Sequence, residues 1–323
     1  MKLGFYADYS PDTVKFAEDV GFKCMELSAW PESALNADTV SEKKLREILK
    51  DLEKRDIEIS ALGYYPNYLD PDKEQGKEAK RYFTKVLELA NRMGVGVVST
   101  FAGRHPQRSV ADNITLFKEV FTEFCEEAES RNVRIAIENC PMMDRITMLG
   151  TNKAFSPEIW DVMFEEVPSE CLGLELDPSH LVWLGIDYIQ AIRDYGNRIF
   201  HIHAKDMEID RKVLSKVGIY GELFRDVKGL GHGWWRARTP GWGEINWPGF
   251  ISALVEVDYQ GNIDIEHEDD VFAFSGYIDR GPGSIGSRDI DLPSDPEAAI
   301  VAKYGREEKG LLLGYNTLSK LIA

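Results

Sequence analysis

Eight short apolar runs, separated by longer stretches of helical period, leave this chain few folds to choose from. The runs are Lys2 to Asp8, Phe22 to Ser28, Ile57 to Tyr64, Val95 to Phe101, Val133 to Glu138, Leu172 to Asp177, Ile199 to His203 and Ile263 to Glu266, most of them rich in Val, Ile, Leu and aromatic residues. Between them, Ser41 to Arg55 carries a helical stripe of Leu45, Ile48, Leu49 and Leu52, and Ala79 to Met93 one of Phe83, Val86, Leu87 and Ala90. Gly94 reads as a helix stop, and Ser10 before Pro11 and Ser156 before Pro157 read as capped helix starts. Strand and helix in alternation argue for repeated βα units around a parallel sheet. With right-handed crossovers, eight such pairs close into a single (β/α)8 TIM barrel; a doubly wound open sheet is the alternative.

A length of 323 residues accommodates one barrel with excursions. We read 1–323 as one domain, with the barrel core at 1–270 and a C-terminal tail and helix at 271–323. Two segments break the rhythm. A long insertion rich in Gly and Trp follows the seventh strand, from Asp206 to Trp247, and a stretch rich in Gly, Ser and Asp runs from Phe272 to Pro296 before a last helix from about Glu297 to Leu321. The tail is expected to wrap the barrel, or to serve as a dimer arm.

Four of the apolar runs end in a polar residue: Glu138, Asp177, His203 and Glu266. In a parallel barrel the groups that do chemistry sit where strands end and βα loops begin, so these four would share one rim. Carboxylates with one imidazole suit a hard divalent cation, Mn²⁺ first, with Mg²⁺ or Co²⁺ as alternatives. Such an ion polarises a carbonyl together with its neighbouring hydroxyl.

The segments IENCP, LDPSH, HIHAKD and PGWGEINWPGFISALVEVDYQGNIDIEHED resemble those of the xylose-isomerase-like sugar isomerases and epimerases. That TIM-barrel superfamily also holds tagatose and psicose 3-epimerases, inosose dehydratase and endonuclease IV, and the resemblance covers most of the chain. It implies metal ligands at Glu138, Asp177, His203 and Glu266, a nearby imidazole at His180, and a supporting place for His201. It also implies that Glu138 and Glu266 face opposite sides of a sugar carbon, one removing a proton and the other returning one, so that Glu138, Glu266 and His180 form the catalytic set. The expected function is a divalent-metal-dependent sugar isomerase or epimerase acting next to the carbonyl of a ketose or keto-sugar. The alternative is a lyase, dehydratase or hydratase of the same superfamily, such as a 3-keto-glycoside-cleaving enzyme.

Where the epimerases carry an Arg a few residues after the ligand His, this chain reads HAKDMEID, which leaves Lys205 and Asp206 as the polar groups on offer. Lys205 is read as a substrate contact or, with equal weight from strand alternation, as one half of an ion pair inside the barrel. In the insertion, GLGHGWWRARTPGWGE sets Trp234, Trp235 and Arg236 between glycines, and Trp30 and Tyr64 stand at the ends of earlier strands. Aromatic faces are platforms for the apolar face of a sugar ring, so these five join Lys205 as expected substrate contacts.

The formal charge of −17, with no basic run interleaved with aromatics, argues against nucleic acid as a partner. No apolar stretch reaches bilayer length, the N-terminus offers too little for a secretory signal, and the four cysteines form no CxxC pair. We expect a cytoplasmic protein that acts on a small-molecule sugar or keto-glycoside without a membrane partner. Self-association or a role as a partner subunit is left open.

Overall fold

The computed structural model describes residues 1–144, 149–220, 233–269, 271–272 and 305–322. Strands β1 (Leu3–Ala7), β2 (Cys24–Ser28), β3 (Glu58–Gly63), β4 (Val97–Thr100), β5 (Arg134–Glu138), β6 (Leu172–Leu176), β7 (Ile199–His203) and β10 (Ile263–Ile265) close into one barrel in the order β1-β10-β7-β6-β5-β4-β3-β2. Every neighbouring pair in it is parallel. The intervening helices include α1 (Pro11–Val20), α2 (Glu42–Lys54), α3 (Lys73–Met93), α4 (Val110–Glu129), α5 (Pro157–Glu166), α6 (Pro178–Leu184), α7 (Tyr188–Tyr195), α8 (Arg211–Val217) and α9 (Trp247–Glu256). The expected barrel is the observed one.

Local chemistry explains the helix boundaries. Ser10 accepts from Thr13 N and caps α1, and Gly94, at φ 72°, ends α3 in the left-handed conformation that only glycine adopts freely. Two expectations change. Helix α3 begins six residues before Ala79, because Asp72 accepts from the backbone of Glu74 and Gln75 and so starts the helix earlier. Ser156 occupies the cap position of α5, yet its side chain makes no capping bond.

Alternation along the strands builds a barrel interior in layers. Ala61, Val97, Ala136 and Phe200 form a small apolar cluster of their own. Ala61 and Ala136 stand two residues before Gly63 and Glu138, so this plug lies beneath a polar layer. Glycine makes that layer possible: a Cβ at Gly63 would stand 2.5 Å from Glu26 Oε1, and one at Gly4 would stand 2.1 Å from Asp264 Oδ1. The main apolar core lies between the strands and the surrounding helices.

The insertion after β7 is not simply a loop. Its first residues form β8 (Asp206–Ile209), which pairs antiparallel with β9 (Trp235–Arg238). His232 lies outside the described residues. At the C-terminus, α10 (Arg306–Leu318) packs back on the barrel: Tyr315 meets Phe22 at a ring distance of 4.9 Å, and Leu318 is buried. Residues 297–304 of the expected last helix and the Gly/Ser/Asp-rich stretch from 273 onward lie outside the described residues. Among the described residues no helix is long and apolar enough to cross a membrane.

Candidate metal centre and active site

The four polar strand tips meet. Glu138 is the last residue of β5, His203 the last of β7, and Asp177 and Glu266 directly follow β6 and β10. One ligand atom from each lies within 4.8 Å of the others. His203 Nδ1 is 3.3 Å from both Glu138 Oε1 and Glu266 Oε2. Glu138, Asp177 and His203 are buried, and the Glu266 side chain is 20% exposed, which opens the group toward the barrel mouth.

Backbone clamps hold the tips in register. Asn139 donates to Asp177 O at 2.9 Å and accepts from Asp177 N at 2.7 Å, tying the end of β5 to the end of β6. Asn152 donates to the carbonyls of Glu138 and Cys140 and accepts from Ala102 N, fixing the β5 tip to the loop after β4. Both asparagines are fully buried, so each satisfies buried backbone groups that would otherwise be costly.

His180, on the first turn of α6, stands beside the cluster. Its Nε2 is 3.3 Å from Asp177 Oδ2 and 3.8 Å from Glu138 Oε1, while Nδ1 accepts from Trp183 Nε1 at 3.4 Å. Burial first, and then the Lys205 ammonium, push its pKa down to about 4. His180 is therefore a neutral imidazole that carries its proton on Nε2, facing the carboxylates.

Lys205 lies among the same carboxylates. Its ammonium pairs with Glu266, with Asp177 Oδ2 at 3.0 Å and with Glu268 at 3.1 Å, and it is buried. Of its two sequence readings, this is the geometry of the ion pair. Burial pushes Glu138 up to about 8, with the Glu266 charge adding to the shift. Glu266 goes the other way: burial opposes it, but Lys205 and His203 hold it far below the usual range. Lys205→Met would leave three carboxylates, two of them buried, facing one imidazole. In the presence of a chelator that variant is expected to lose about 3–5 kcal/mol of stability, and an unchanged urea midpoint would refute the role given to this ammonium.

The donor set fits a divalent cation. One oxygen from each of three carboxylates and a ring nitrogen lie within 4.8 Å of one another, and Asp177 Oδ2 is buried without a hydrogen bond, its nearest cation being Lys205. Acceptors crowded in this way repel one another unless a positive charge sits between them.

The expected substrate contacts divide. Trp235 stacks on Trp183 at 4.9 Å and 11°, and Trp183 reaches His180, so this pair walls one side of the site. Trp234 is buried at 4% exposure. Arg236 is engaged by Glu208 across the β8–β9 ribbon through several hydrogen bonds. Tyr64 is buried in the core between Trp30 and Tyr82, at ring distances of 4.8 and 4.9 Å, so Trp30 and Tyr64 are not brought to the metal ligands. Consecutive strand residues face opposite sides, and it is Tyr65 that turns inward, with its ring 6.1 Å from that of His203.

Sequence reasoning missed several groups. Glu26 and Glu175, inside β2 and β6, converge with His201 and His203 within 4.8 Å directly under the first cluster. A carboxylate in the middle of CMELS or LGLEL was the available signal, since an ionised group inside an apolar strand has to be paired. Trp183 was missed as well. His201, placed in support by the family resemblance, bridges Glu175 Oε1 and Asp264 Oδ2 at 2.7 Å each; burial alone would lower its pKa, but these two carboxylates raise it to about 10.

Comparison with known proteins follows the same lines. The model of the family described as xylose isomerase-like TIM barrel matches residues 14–287. The uncharacterized protein YfiH of Bacillus subtilis is 29% identical over 304 residues, covering 83% of this chain and 93% of YfiH. An inosose dehydratase of Clostridium perfringens is 25% identical over 230 residues, covering 69% of this chain and 74% of the dehydratase. Among solved structures, IolI with a binding zinc atom matches with a TM-score of 0.66 and 18% identity over 99% of each chain. D-psicose 3-epimerase, in the presence of D-fructose, matches with a TM-score of 0.65 and 17% identity over 98% of this chain and 99% of its own. At such identities the structural likenesses speak for the fold.

Proposed function

This chain belongs to the xylose isomerase-like TIM-barrel family, and from that premise we propose that it is a divalent-metal-dependent enzyme that removes a proton from the carbon next to the carbonyl of a ketose, keto-sugar or keto-polyol. One observation carries the reading: Glu138, Asp177, His203 and Glu266 converge within 4.8 Å at the mouth of the barrel. These four residues would hold the ion. When bound there, a divalent cation supplies charge that polarises the substrate carbonyl and offsets the negative charge developing on its oxygen. Mn²⁺ stays the first choice for an oxygen-rich donor set, with Mg²⁺ and Co²⁺ next; the zinc atom bound by IolI adds Zn²⁺ to the ions worth testing.

The protein's own groups then divide the proton chemistry. Glu138 takes the proton as the C–H bond breaks and the electron pair moves toward the carbonyl oxygen. In epimerisation, Glu266 relays a proton from the Lys205 ammonium that it pairs with to the other face of the same carbon. Trp183 and Trp235 shield one side of the site and offer an apolar face to a ring.

A second outcome from the same start is elimination, favoured by the relatives named inosose dehydratase. Glu138, whose carboxyl is pushed up to about 8, then passes the proton it has taken to the departing β-hydroxyl while neutral His180 donates an Nε2–H hydrogen bond to that oxygen, the C–O bond breaks, and water leaves. Metal analysis of the purified chain, followed by incubation of ketoses and keto-inositols in D₂O, tests both. Exchange of deuterium into a recovered sugar supports epimerisation, and an unsaturated product supports dehydration. Neither exchange nor turnover with the chain fully loaded by Mn²⁺, Mg²⁺, Co²⁺ or Zn²⁺ would overturn the proposal.

A further inference from the structure

We infer that Glu26, in the middle of β2, is a positioning residue for the metal site: it holds the far edge of the His203 ring so that Nδ1 faces Glu138 and Glu266, and it thereby sets how tightly the chain grips a divalent cation. The inference deepens the proposed function and rests on His203 being a ligand.

His203 is contacted on both edges. Its Nε2 lies 2.6 Å from Glu26 Oε2, and its Nδ1 lies 3.3 Å from an oxygen of Glu138 and from one of Glu266. An ionised carboxylate has only lone pairs to offer, so the ring proton belongs on Nε2, between the ring and Glu26. Nδ1 then keeps its lone pair on the side where the other carboxylates converge. A neutral imidazole must be in this tautomer to bind a cation through Nδ1, and ligating histidines almost always donate their other N–H to a fixed acceptor.

Glu26 is itself fixed on every side. It is 0% exposed, and the Tyr65 hydroxyl lies 2.5 Å from its Oε1 and 2.8 Å from Glu175 Oε2. Glu175 is tied to His201, and His201 to Asp264, by contacts of 2.7 Å. Gly63 leaves the space, since a Cβ there would press to 2.5 Å from Glu26 Oε1 and 2.9 Å from the Tyr65 ring. The result is a chain of side chains from β2, β6, β7 and β10 that ends on the underside of the metal ligand.

Glu26, Glu175, His201 and His203 are themselves residue types that bind metals, and they lie close enough to share an ion. Their hydrogen bonding speaks for support instead. Each oxygen of Glu26 and Glu175 and each ring nitrogen of His201 already faces a partner, and an ion would have to displace several of these contacts in a space closed to solvent.

The test is a titration of the full chain with Co²⁺, read by calorimetry and by the visible absorption of the bound ion, for the wild type, Glu26→Leu, Glu26→Gln and Glu138→Gln. The expectation is one ion per chain, with affinity weakened about 10–100-fold in Glu26→Leu and a shifted Co²⁺ spectrum. Glu26→Gln, whose amide oxygen still accepts from Nε2–H, should restore most of the affinity and the wild-type spectrum. Because Glu26→Leu puts an apolar group against polar neighbours, Tyr65→Phe serves as a second variant that frees Glu26 without removing it, and a several-fold loss of affinity is expected there. Wild-type affinity and spectrum in both Glu26→Leu and Tyr65→Phe would overturn the inference alone, as would two ions per wild-type chain. Absence of Co²⁺ uptake by the wild type, or full affinity in Glu138→Gln, would bring down the metal reading itself and this inference with it.

Discussion

Glu138→Gln and Glu266→Gln are each expected to lower turnover by about 10²–10⁴-fold, the range that a positioned general acid or base supplies, and to weaken metal uptake as well. The two variants should part company in stability. Glu138 and Glu266 both face His203 Nδ1 at 3.3 Å, and Glu138 is the carboxylate whose ionisation is opposed by burial and by its neighbour. A neutral amide at 138 relieves that opposition, so Glu138→Gln should unfold in chelator no earlier than the wild type. Glu266 is the one paired with Lys205. Its replacement leaves a buried ammonium with fewer partners and should cost about 1–3 kcal/mol. Steady-state rates, metal analysis and urea unfolding in chelator check the three parts. Wild-type turnover in both variants would remove these carboxylates from the chemistry.

Asp206→Ala is expected to destabilise the protein by about 3–5 kcal/mol, near the top of the range for a single substitution. Asp206 opens β8, and its buried carboxylate accepts four hydrogen bonds: from Met207 N at 2.8 Å, Gly241 N at 2.9 Å, Ile245 N at 3.1 Å and Trp247 Nε1 at 2.9 Å. Truncation strands four donors at once, three of them on buried residues. Gly243 is moulded around the same group, since a Cβ there would fall 2.2 Å from Asp206 Oδ1. The β8–β9 ribbon carries Trp235 onto Trp183, so the loss should spread to the wall of the site, with catalysis impaired even at temperatures where the variant is folded. Thermal and urea unfolding measure the first effect and rates well below the melting temperature the second. An unfolding midpoint equal to that of the wild type would show that the corner does not depend on Asp206.

In the sequence, Asp206 reads as a polar group available to a substrate, and in the structure it is fully occupied as a brace. Arg236 is a similar case, since its partner Glu208 lies on the neighbouring strand of a ribbon that the Gly- and Trp-rich composition of the insertion does not announce. Tyr64 and Tyr65 show the same limit at shorter range. Adjacent residues just past β3 face opposite ways, and the inward one can be named only once the register of β3 against β2 is known.

What the sequence by itself determined was periodicity and its interruptions. Apolar runs at strand length, stripes at helix length and caps such as Ser10 fixed the order of elements, and four polar tips marked the ends of β5, β6, β7 and β10. These are local properties, set by which face of a strand or helix can be buried. Only the tertiary structure decided which polar groups meet. Glu26 and His203 are 177 residues apart in the chain, and Lys205 finds its carboxylates on two other strand ends. Closing the barrel brings those ends together, and in a space with little water each buried charge takes the partner that closure provides, which no local pattern encodes.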